Sequence, residues 1–559
     1  MTLSTPEPTR PARVHSPVAP APPYDTLVAA LDATGGPPIT FHGLREAPSL
    51  HGRDALALAG RWSALLRHHG VRRGDRVLLL LRTGPDFVGA LLGTMLAGAV
   101  AVPLASPMTF GALDRYLANL AAIVDDAEAR CLVTDARVAE ALAVDPTLRR
   151  SLSVVLTAAD LREAPRCQPP LPSLAASDTA LLQYTSGTTG RPKGVVVSHR
   201  ALVANAFAIA HGLCLEPHDV GVSWLPLFHD MGLIGVLLTA VCHPYPLHLM
   251  PPEAFLMRPT RWLRTLAETG GTLSAAPNFA YALCAGRAEG LDGARLDVWR
   301  RALNGAEPVQ ADTVSRFAAR FAQDGFCPAA MTPVYGMAEC TLAVTFPSPG
   351  DTLRVVRSPS GQGSTLPGEA VSVGAPVAGT SLGVFDPHGG VLTEGAVGEV
   401  RVASASCMDG YFRNDAASAA AFDGAWLKTG DLGFLDDGRL YLVGRARDLI
   451  IKGGRNHYAH DIERVAAEVH GVRAGSVAAF ARPSAHTGTD DLVLVIESPE
   501  PRPAARARLV RDVRGGLLAT LNLKADAVHL WPVGAIPRTT SGKVRRQACA
   551  LALEARERP

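Results

Sequence analysis

Two periods of apolar residues alternate along most of the chain. Short, continuous apolar runs bounded by charges or turn residues predict buried strands. They are "RVLLLL" (76–81), "CLVTD" (131–135), "LSVVLT" (152–157), "TALLQYT" (179–185), "GVVVSH" (194–199), "GVSWLP" (221–226) and "GTLSAAP" (271–277). Helix-like stretches separate them, and this alternation predicts α/β layers. After about residue 350 the pattern tightens. Strand-like runs "VSVGAP", "SLGVFD", "GEVRVAS" and "RLYLVGRARDLIIKGG" follow one another, with "DPHGG" and "DDG" as turns between them. From residue 449 a small unit is expected, with a helix over 461–470, two strands, a Pro/Arg-rich connector, a second helix and a last strand. The predicted architecture is a large N-terminal domain of α/β layers with a β-rich subregion (24–446). A small, mobile α+β domain (447–559) follows it, and a disordered Pro-rich tail (1–23) precedes both.

One segment tests the layer reading. Residues 87–105, "FVGALLGTMLAGAVAVPLA", carry no charge and approach the ~20 residues of a membrane span. Gly98 interrupts them and "AVAVP" reads as a strand, so a buried helix followed by a strand is expected instead of stable membrane insertion.

Composition narrows the function classes. The 559-residue chain is 47% hydrophobic and carries 54 Lys+Arg against 52 Asp+Glu, a formal charge of +2. That balance offers no field for nucleic acid or an anionic membrane. Nine cysteines are scattered without a CxxC pair, a usage that fits a reducing, cytoplasmic setting without disulfides or zinc.

The chemistry begins at "LQYTSGTTGRPKGVVVSH" (182–199). Between two strands stand Thr185, Ser186, Gly187, Thr188, Thr189 and Gly190, followed by Lys193. Backbone N–H groups, hydroxyls and one cation are what a phosphate needs. The loop is no Walker A: two residues separate Gly190 from Lys193, and Gly194 takes the place of the metal-binding hydroxyl. "TTSGKVRR" (539–546) fails the same test at Val544.

The loop does resemble the phosphate loop of the adenylate-forming superfamily, the acyl-CoA synthetases, adenylation domains and luciferases. Other elements of that family stand in the expected order. "NGAEP" resembles the adenine-side loop (Gly305, Ala306, Glu307) and "VYGMAE" the aromatic-Gly-x-x-Glu element. There Tyr335, Gly336 and Met337 would border the nucleotide, and Glu339 would hold Mg2+. "KTGDLG" resembles the ribose element, with Asp431 accepting from both hydroxyls. "GRARDLIIKGGRN" resembles the domain junction, with Arg445 on ribose or phosphate and the hinge near Arg447. Lys543 resembles the mobile-domain lysine that bridges substrate carboxylate and α-phosphate. The resemblance spans about residues 25 to 550.

A narrower likeness lies mid-chain. "SWLPLFHDMGLIG", "SAAPNFAYALC", "YGMAECTLAVTF" and "GRNHYAHDIE" together resemble the fatty acyl-AMP ligases. Those enzymes load acyl groups onto the phosphopantetheine of acyl carrier proteins. By that analogy His229 and the segment containing Asn278, Phe279 and Tyr281 border the acyl and α-phosphate region. The resemblance implies ATP and Mg2+, a carboxylic acid, and an acyl carrier protein in trans as partner. Residues 344–374 are short for an insertion those ligases usually carry, so free CoA, as for an acyl- or aryl-CoA synthetase, stays open as acceptor. The Arg-rich stretch 502–514 is a candidate landing surface for an acidic carrier, or a solvated helix face. A non-catalytic nucleotide-binding regulator is the rival from another class; Lys193, Glu339, Asp431 and Lys543 occurring together speaks against it.

Overall fold

The structure is a computed structural model. It describes residues 10–18, 21–44, 47–106, 113–143, 145–163, 172–185, 192–287, 290–291, 293–348, 350–357, 369–452, 455–473, 475–483, 490–521, 523–539 and 542–557.

The apolar runs become strands of two seven-stranded sheets, all of them inner except Val154–Leu156, which lies at an edge. In the first, Gly410–Tyr411, Lys193–Ser198, Thr179–Thr185, Val100–Pro103, Arg76–Leu80, Cys131–Thr134 and Val154–Leu156 lie side by side. The last five are mutually parallel, and the first two are added antiparallel. In the second, Met331–Pro333, Arg301–Gly305, Leu273–Pro277, Gly221–Ser223, Leu247–Leu249 and Ile39–Phe41 are parallel, with Ser49–Leu50 antiparallel at the edge. Strands buried on both faces cannot alternate with polar residues, which is why they read as continuous apolar runs.

The uncharged segment folds as its breaker residues require. Pro85–Leu96 is a helix with Pro at its first turn, and Gly98, at φ +75°, turns the chain into the strand Val100–Pro103. The helix is buried along its length against Asp54–His68. Gly93 makes the approach possible: a Cβ there would stand 2.5 Å from Trp62 Cβ and 2.8 Å from Ala59 O. Among the described residues no helix is long and apolar enough to cross a membrane.

The β-rich subregion is a six-stranded antiparallel sheet over Thr380–Phe385, Gly398–Ser404, Phe422–Asp423, Trp426–Asp436 and Arg439–Arg445. Its sixth strand corrects the reading of the N-terminus as a uniformly disordered tail. Arg13–His15 pairs antiparallel with Thr380–Phe385, with Val14 opposite Leu382. The Arg13 guanidinium lies 4.6 Å over the Trp426 ring, and Ala12 is fully buried. An edge strand offers unpaired N–H and C=O groups, and a proline-flanked segment can satisfy them without an apolar period of its own.

Beyond Leu449 the chain builds its own cores. Alternate residues of Val477–Pro483 and Asp490–Glu497 face opposite ways, as period two requires. Val477, Ala479, Leu492, Leu494 and Ile496 pack with Ile462, Val465, Val513 and Leu517. Ala478, Phe480, Val493 and Val495 pack with Trp531, Cys549 and Leu553 on the other face. The second layer comes from a helix the pattern did not disclose, Arg546–Glu557, because it buries only Cys549 and Leu553. Arg546 clamps it: its guanidinium donates to both Glu463 oxygens at 2.7 Å and to Asp448 at 2.6 Å. The Arg-rich stretch lies in the helix Pro503–Leu521 or at its start. Several of its arginines are committed internally: Arg502 to Glu500, Arg506 to Leu530 O and Arg514 to Asp526 O.

Gly93→Ala tests the helix contact. The added methyl cannot be accommodated without moving Trp62, so the large unit should lose about 1–3 kcal/mol, read from urea or guanidinium unfolding. An unchanged midpoint would mean the helices separate freely.

Candidate active site

Four loops leave the second sheet at the same end, because their strands are parallel. They follow Gly221–Ser223, Leu273–Pro277, Arg301–Gly305 and Met331–Pro333. After Gly221–Ser223 the next strand is laid on one side and the following one, Leu273–Pro277, on the other. Chain direction across the sheet therefore reverses between these strands, and such a switch point opens a crevice at the carboxyl ends. His229 and Asp230, Asn278 and Phe279, Ala306 and Glu307, and Tyr335 to Glu339 come from these four loops.

The loop after Met331–Pro333 is shaped by two unusual residues. Gly336 passes so close to Leu342 that a Cβ would lie 2.1 Å from its carbonyl oxygen. Thr341 has φ +64° and ψ −59°, with Leu342 N–H bonded to Cys340 O at 2.7 Å. That is the rare γ-turn, a strained form that packing must enforce. Buried Thr341 is held there by its hydroxyl, which donates to Ser406 O at 2.7 Å. Ala306, at φ +65°, is another non-glycine residue in the left-handed region.

The turn delivers Tyr335 to a buried carboxylate. Tyr335 Oη donates to Asp431 Oδ2 at 2.6 Å. Arg445 Nε reaches Asp431 Oδ1 at 2.8 Å from the directly opposite position of the neighbouring strand. Burial, with the Asp431 charge beside it, pushes the Tyr335 phenol well above its ordinary pKa. The turn also presents Glu339. Tyr411 Oη donates to Glu339 Oε1 at 3.0 Å, and the Lys193 ammonium stands 4.8 Å over the Tyr411 ring.

Lys543, from the far end of the chain, stands in the same charge field. The residue is exposed to solvent. Even so, the protein atoms around its ammonium lower its pKa by desolvation; Asp230, Glu307 and Asp431 oppose that, and Arg445 adds to it. Asp230 also lies 2.7 Å from His229 Nδ1. Burial would raise the Asp230 pKa, but the His229 and Lys543 charges and the Met231 N–H more than offset it. Glu307 accepts from Phe279 N–H; its pKa is raised by burial, which that bond and Lys543 only partly counter.

The sequence-derived site residues thus fall into groups. Tyr335, Asp431 and Arg445 converge; Glu339 and Lys193 meet at Tyr411; Glu307, and His229 through its partner Asp230, share the electrostatic field of Lys543. Ser186, Gly187, Thr188, Thr189 and Gly190 lie outside the described residues, and Thr185 ends the strand before them. Arg447 lies in the short turn Ala446–Asp448.

The acyl-pocket expectation is corrected in part. Tyr281 is fully buried among Trp262, Trp299 and Phe317, with its hydroxyl donating to Leu303 O at 2.8 Å; it is a core residue. Asn278 is buried, and its Oδ1 accepts from Gln310 N–H and Asn304 Nδ2, so it ties the loops together. Of the three, only Phe279 is exposed, at 37%. Helical spacing alone could not separate these faces. Tyr411 and Asp230 were missed as partners: a Gly-Tyr dipeptide and an Asp after a His carry no signal without the contacts.

The family described as AMP-binding enzyme matches residues 41–412, and the chain belongs to it. Within that family it is 35% identical over 557 residues to a putative acyl-CoA synthetase of Caulobacter vibrioides, covering 95% of each chain. It is 34% identical over 552 residues to the medium-chain-fatty-acid–[acyl-carrier-protein] ligase JamA of Moorena producens, covering 91% of this chain and 90% of the relative. A solved structure from a study of fatty acyl-adenylate ligases of E. coli and L. pneumophila superposes with a TM-score of 0.87 at 32% identity, over 98% of this chain and 99% of that one.

The charge field around Lys543 is directly measurable. Its amine should titrate below that of surface lysines. Asp230→Asn removes a negative neighbour that stabilises the cation, so the pKa should fall further. The pH dependence of the Lys543 dimethylamine carbon signal, after reductive methylation, reads both. Equal titration of Lys543 and a surface lysine would remove it from this cluster.

Proposed function

We propose that the protein activates a fatty acid as acyl-AMP and transfers the acyl group to the phosphopantetheine thiol of an acyl carrier protein. The observation that supports this reading is the meeting of Tyr335, Asp431 and Arg445 and of Lys193, Tyr411 and Glu339 at the second sheet's carboxyl end, with Lys543 in the electrostatic field of Asp230, Glu307, Asp431 and Arg445. A carboxylate is a poor acyl donor because its leaving group would be oxide. Its oxygen attacks the α-phosphorus of ATP, that P–O bond forms, the bond to the bridging oxygen breaks, and pyrophosphate leaves. Negative charge grows on the α-phosphoryl and leaving oxygens, so positioned cations and dipoles supply the catalysis.

Each group has a role in that step. Tyr335, Gly336 and Met337 form one wall for the adenine, with Gly305, Ala306 and Glu307 opposite. Asp431 takes the ribose hydroxyls and Arg445 lies beside them. The loop from Thr185 through Gly190, with Lys193, holds the phosphates. Lys543 spans the acid and the α-phosphate, with His229 bordering the same space and Phe279 on the acyl side.

A divalent ion fits Glu339. Among the described residues no cluster of three His, Cys, Asp or Glu could hold a metal alone. Mg2+ that keeps water and substrate phosphates as ligands needs only one or two carboxylates. Tyr411 donates to Glu339 Oε1, and Oε2 would be left to hold the cation, which would neutralise phosphate charge.

The second step needs Lys543 to leave. The proposal is that residues 447–559 rotate about Arg447 and admit the thiol. The separate cores beyond Leu449 support a unit that moves as one body. The carrier protein as acceptor is supported by the name of the JamA relative. Free CoA is the second reading, supported by the name of the Caulobacter relative and by the short 344–374 stretch. There Val355–Arg357 pairs directly with Glu369–Val371.

Two experiments decide between these outcomes. Lys543→Ala should lower pyrophosphate release with a fatty acid at least a hundredfold while thioester formation from supplied acyl-AMP continues; equal loss in both refutes the role of Lys543. Carrier protein and CoA offered at matched concentration should favour the carrier in acyl-thioester measured by mass. A kcat/KM for CoA equal to or above that for any carrier assigns the protein to the CoA synthetases.

A further inference from the structure

The convergence of Lys193 and Glu339 on a third residue goes beyond the roles assigned above. We propose that Tyr411 is the positioning residue for adenylate formation, its hydroxyl orienting Glu339 and its ring steadying Lys193. The inference rests on the reading of this crevice as an ATP site.

Tyr411 is far from both residues in sequence, and backbone bonds bring it between them. Gly410–Tyr411 pairs antiparallel with the strand that begins at Lys193, Gly410 opposite Val196 and Tyr411 opposite Val195. Phe412 N–H donates to Gly194 O at 2.8 Å and Asp409 N–H to Val196 O at 3.1 Å. On the other side, Met408 N–H donates to Glu339 O at 2.8 Å. The short strand is therefore stitched to the lysine strand and to the carboxylate turn at once.

The start of the strand is fixed as well. Gly410 has φ +140°, and a Cβ there would stand 2.9 Å from Ser418 Oγ. Tyr411 N–H donates to that same oxygen at 2.8 Å. The ring leaves this anchored backbone half-buried. Its hydroxyl reaches Glu339 Oε1 at 3.0 Å while its face meets Lys193 Nζ at 4.8 Å from the centroid.

Two consequences follow for phosphate binding. A glutamate turns freely about its last bond, and a donor on Oε1 fixes the carboxylate plane and leaves Oε2 to face the cation. Losing such a partner behind a metal ligand commonly costs 10–100-fold in metal affinity. A lysine on a flexible four-carbon stem samples many positions. An aromatic face below its ammonium narrows them without neutralising the charge it offers to phosphate. One side chain thus sets the spacing between the cation ligand and the phosphate lysine.

The test separates hydroxyl from ring. Tyr411→Phe keeps the face and loses the donor; Tyr411→Leu loses both. ATP binding to the full chain is measured by calorimetry over a Mg2+ series, alongside pyrophosphate release with a fatty acid. In Tyr411→Phe the Mg2+ concentration for half-maximal ATP binding should rise about tenfold, and saturating Mg2+ should restore the wild-type ATP affinity. In Tyr411→Leu the same rise should appear, and ATP affinity should stay weakened at saturating Mg2+. A purely structural role would not be rescued by Mg2+. Wild-type Mg2+ dependence in Tyr411→Phe, or a defect in it that no Mg2+ concentration restores, overturns the inference. A wild-type chain that binds ATP with Mg2+ yet releases pyrophosphate with no acid overturns the proposed reaction instead, and the binding curves still decide the role of Tyr411.

Discussion

A buried carboxylate has to be paired, and the pairing of Asp431 fastens this molecule together. Asp431 retains 5% of its surface, and an ionised group in that position costs several kcal/mol unless it is bonded. One oxygen is met by Tyr335, from the end of the second parallel sheet, and the other by Arg445, across the hairpin of the antiparallel sheet. Two layers built from distant parts of the sequence are therefore tied at one group. The chain leaves that hairpin directly into the Ala446–Asp448 turn and the last unit. Asp431 is also among the charges that keep Lys543 cationic.

The arrangement links stability to chemistry in the same residues. Tyr335 and Arg445 each satisfy one oxygen of Asp431, so that carboxylate is held in place by bonds within the protein. Preorganised dipoles and charges need no rearrangement at the moment of reaction, which is the condition under which they accelerate it. The strained turn at Thr341 and the left-handed Ala306 carry a cost that the surrounding sheets bear. Lys543 differs in kind: charges of the large unit act on its ammonium, while its own segment is anchored to the small unit through Arg546, Glu463 and Asp448. A residue placed by one body and used by another can be withdrawn by moving one of them.

The chain's sequence settled the layers and the chemical parts by itself. Strands buried on both faces demand continuous apolar runs, so the inner strands at 76–81, 131–135 and 179–185 were legible. Pro85 and Gly98 bracket the uncharged helix for reasons local to the backbone. The hydroxyl- and glycine-rich loop before Lys193, and the resemblance of the later elements in order, named the nucleotide chemistry. What only the tertiary structure decided depends on contacts between distant residues. Arg13–His15 has no apolar period and becomes a strand because the edge at Thr380–Phe385 needs a partner. Tyr281 and Phe279 share one short helix, yet one faces an aromatic core and the other the solvent, since the neighbouring sheet determines which side is covered. Tyr411 carries no motif of its own; the short strand Gly410–Tyr411 places it between Lys193 and Glu339, and no local rule could have read that position from the chain.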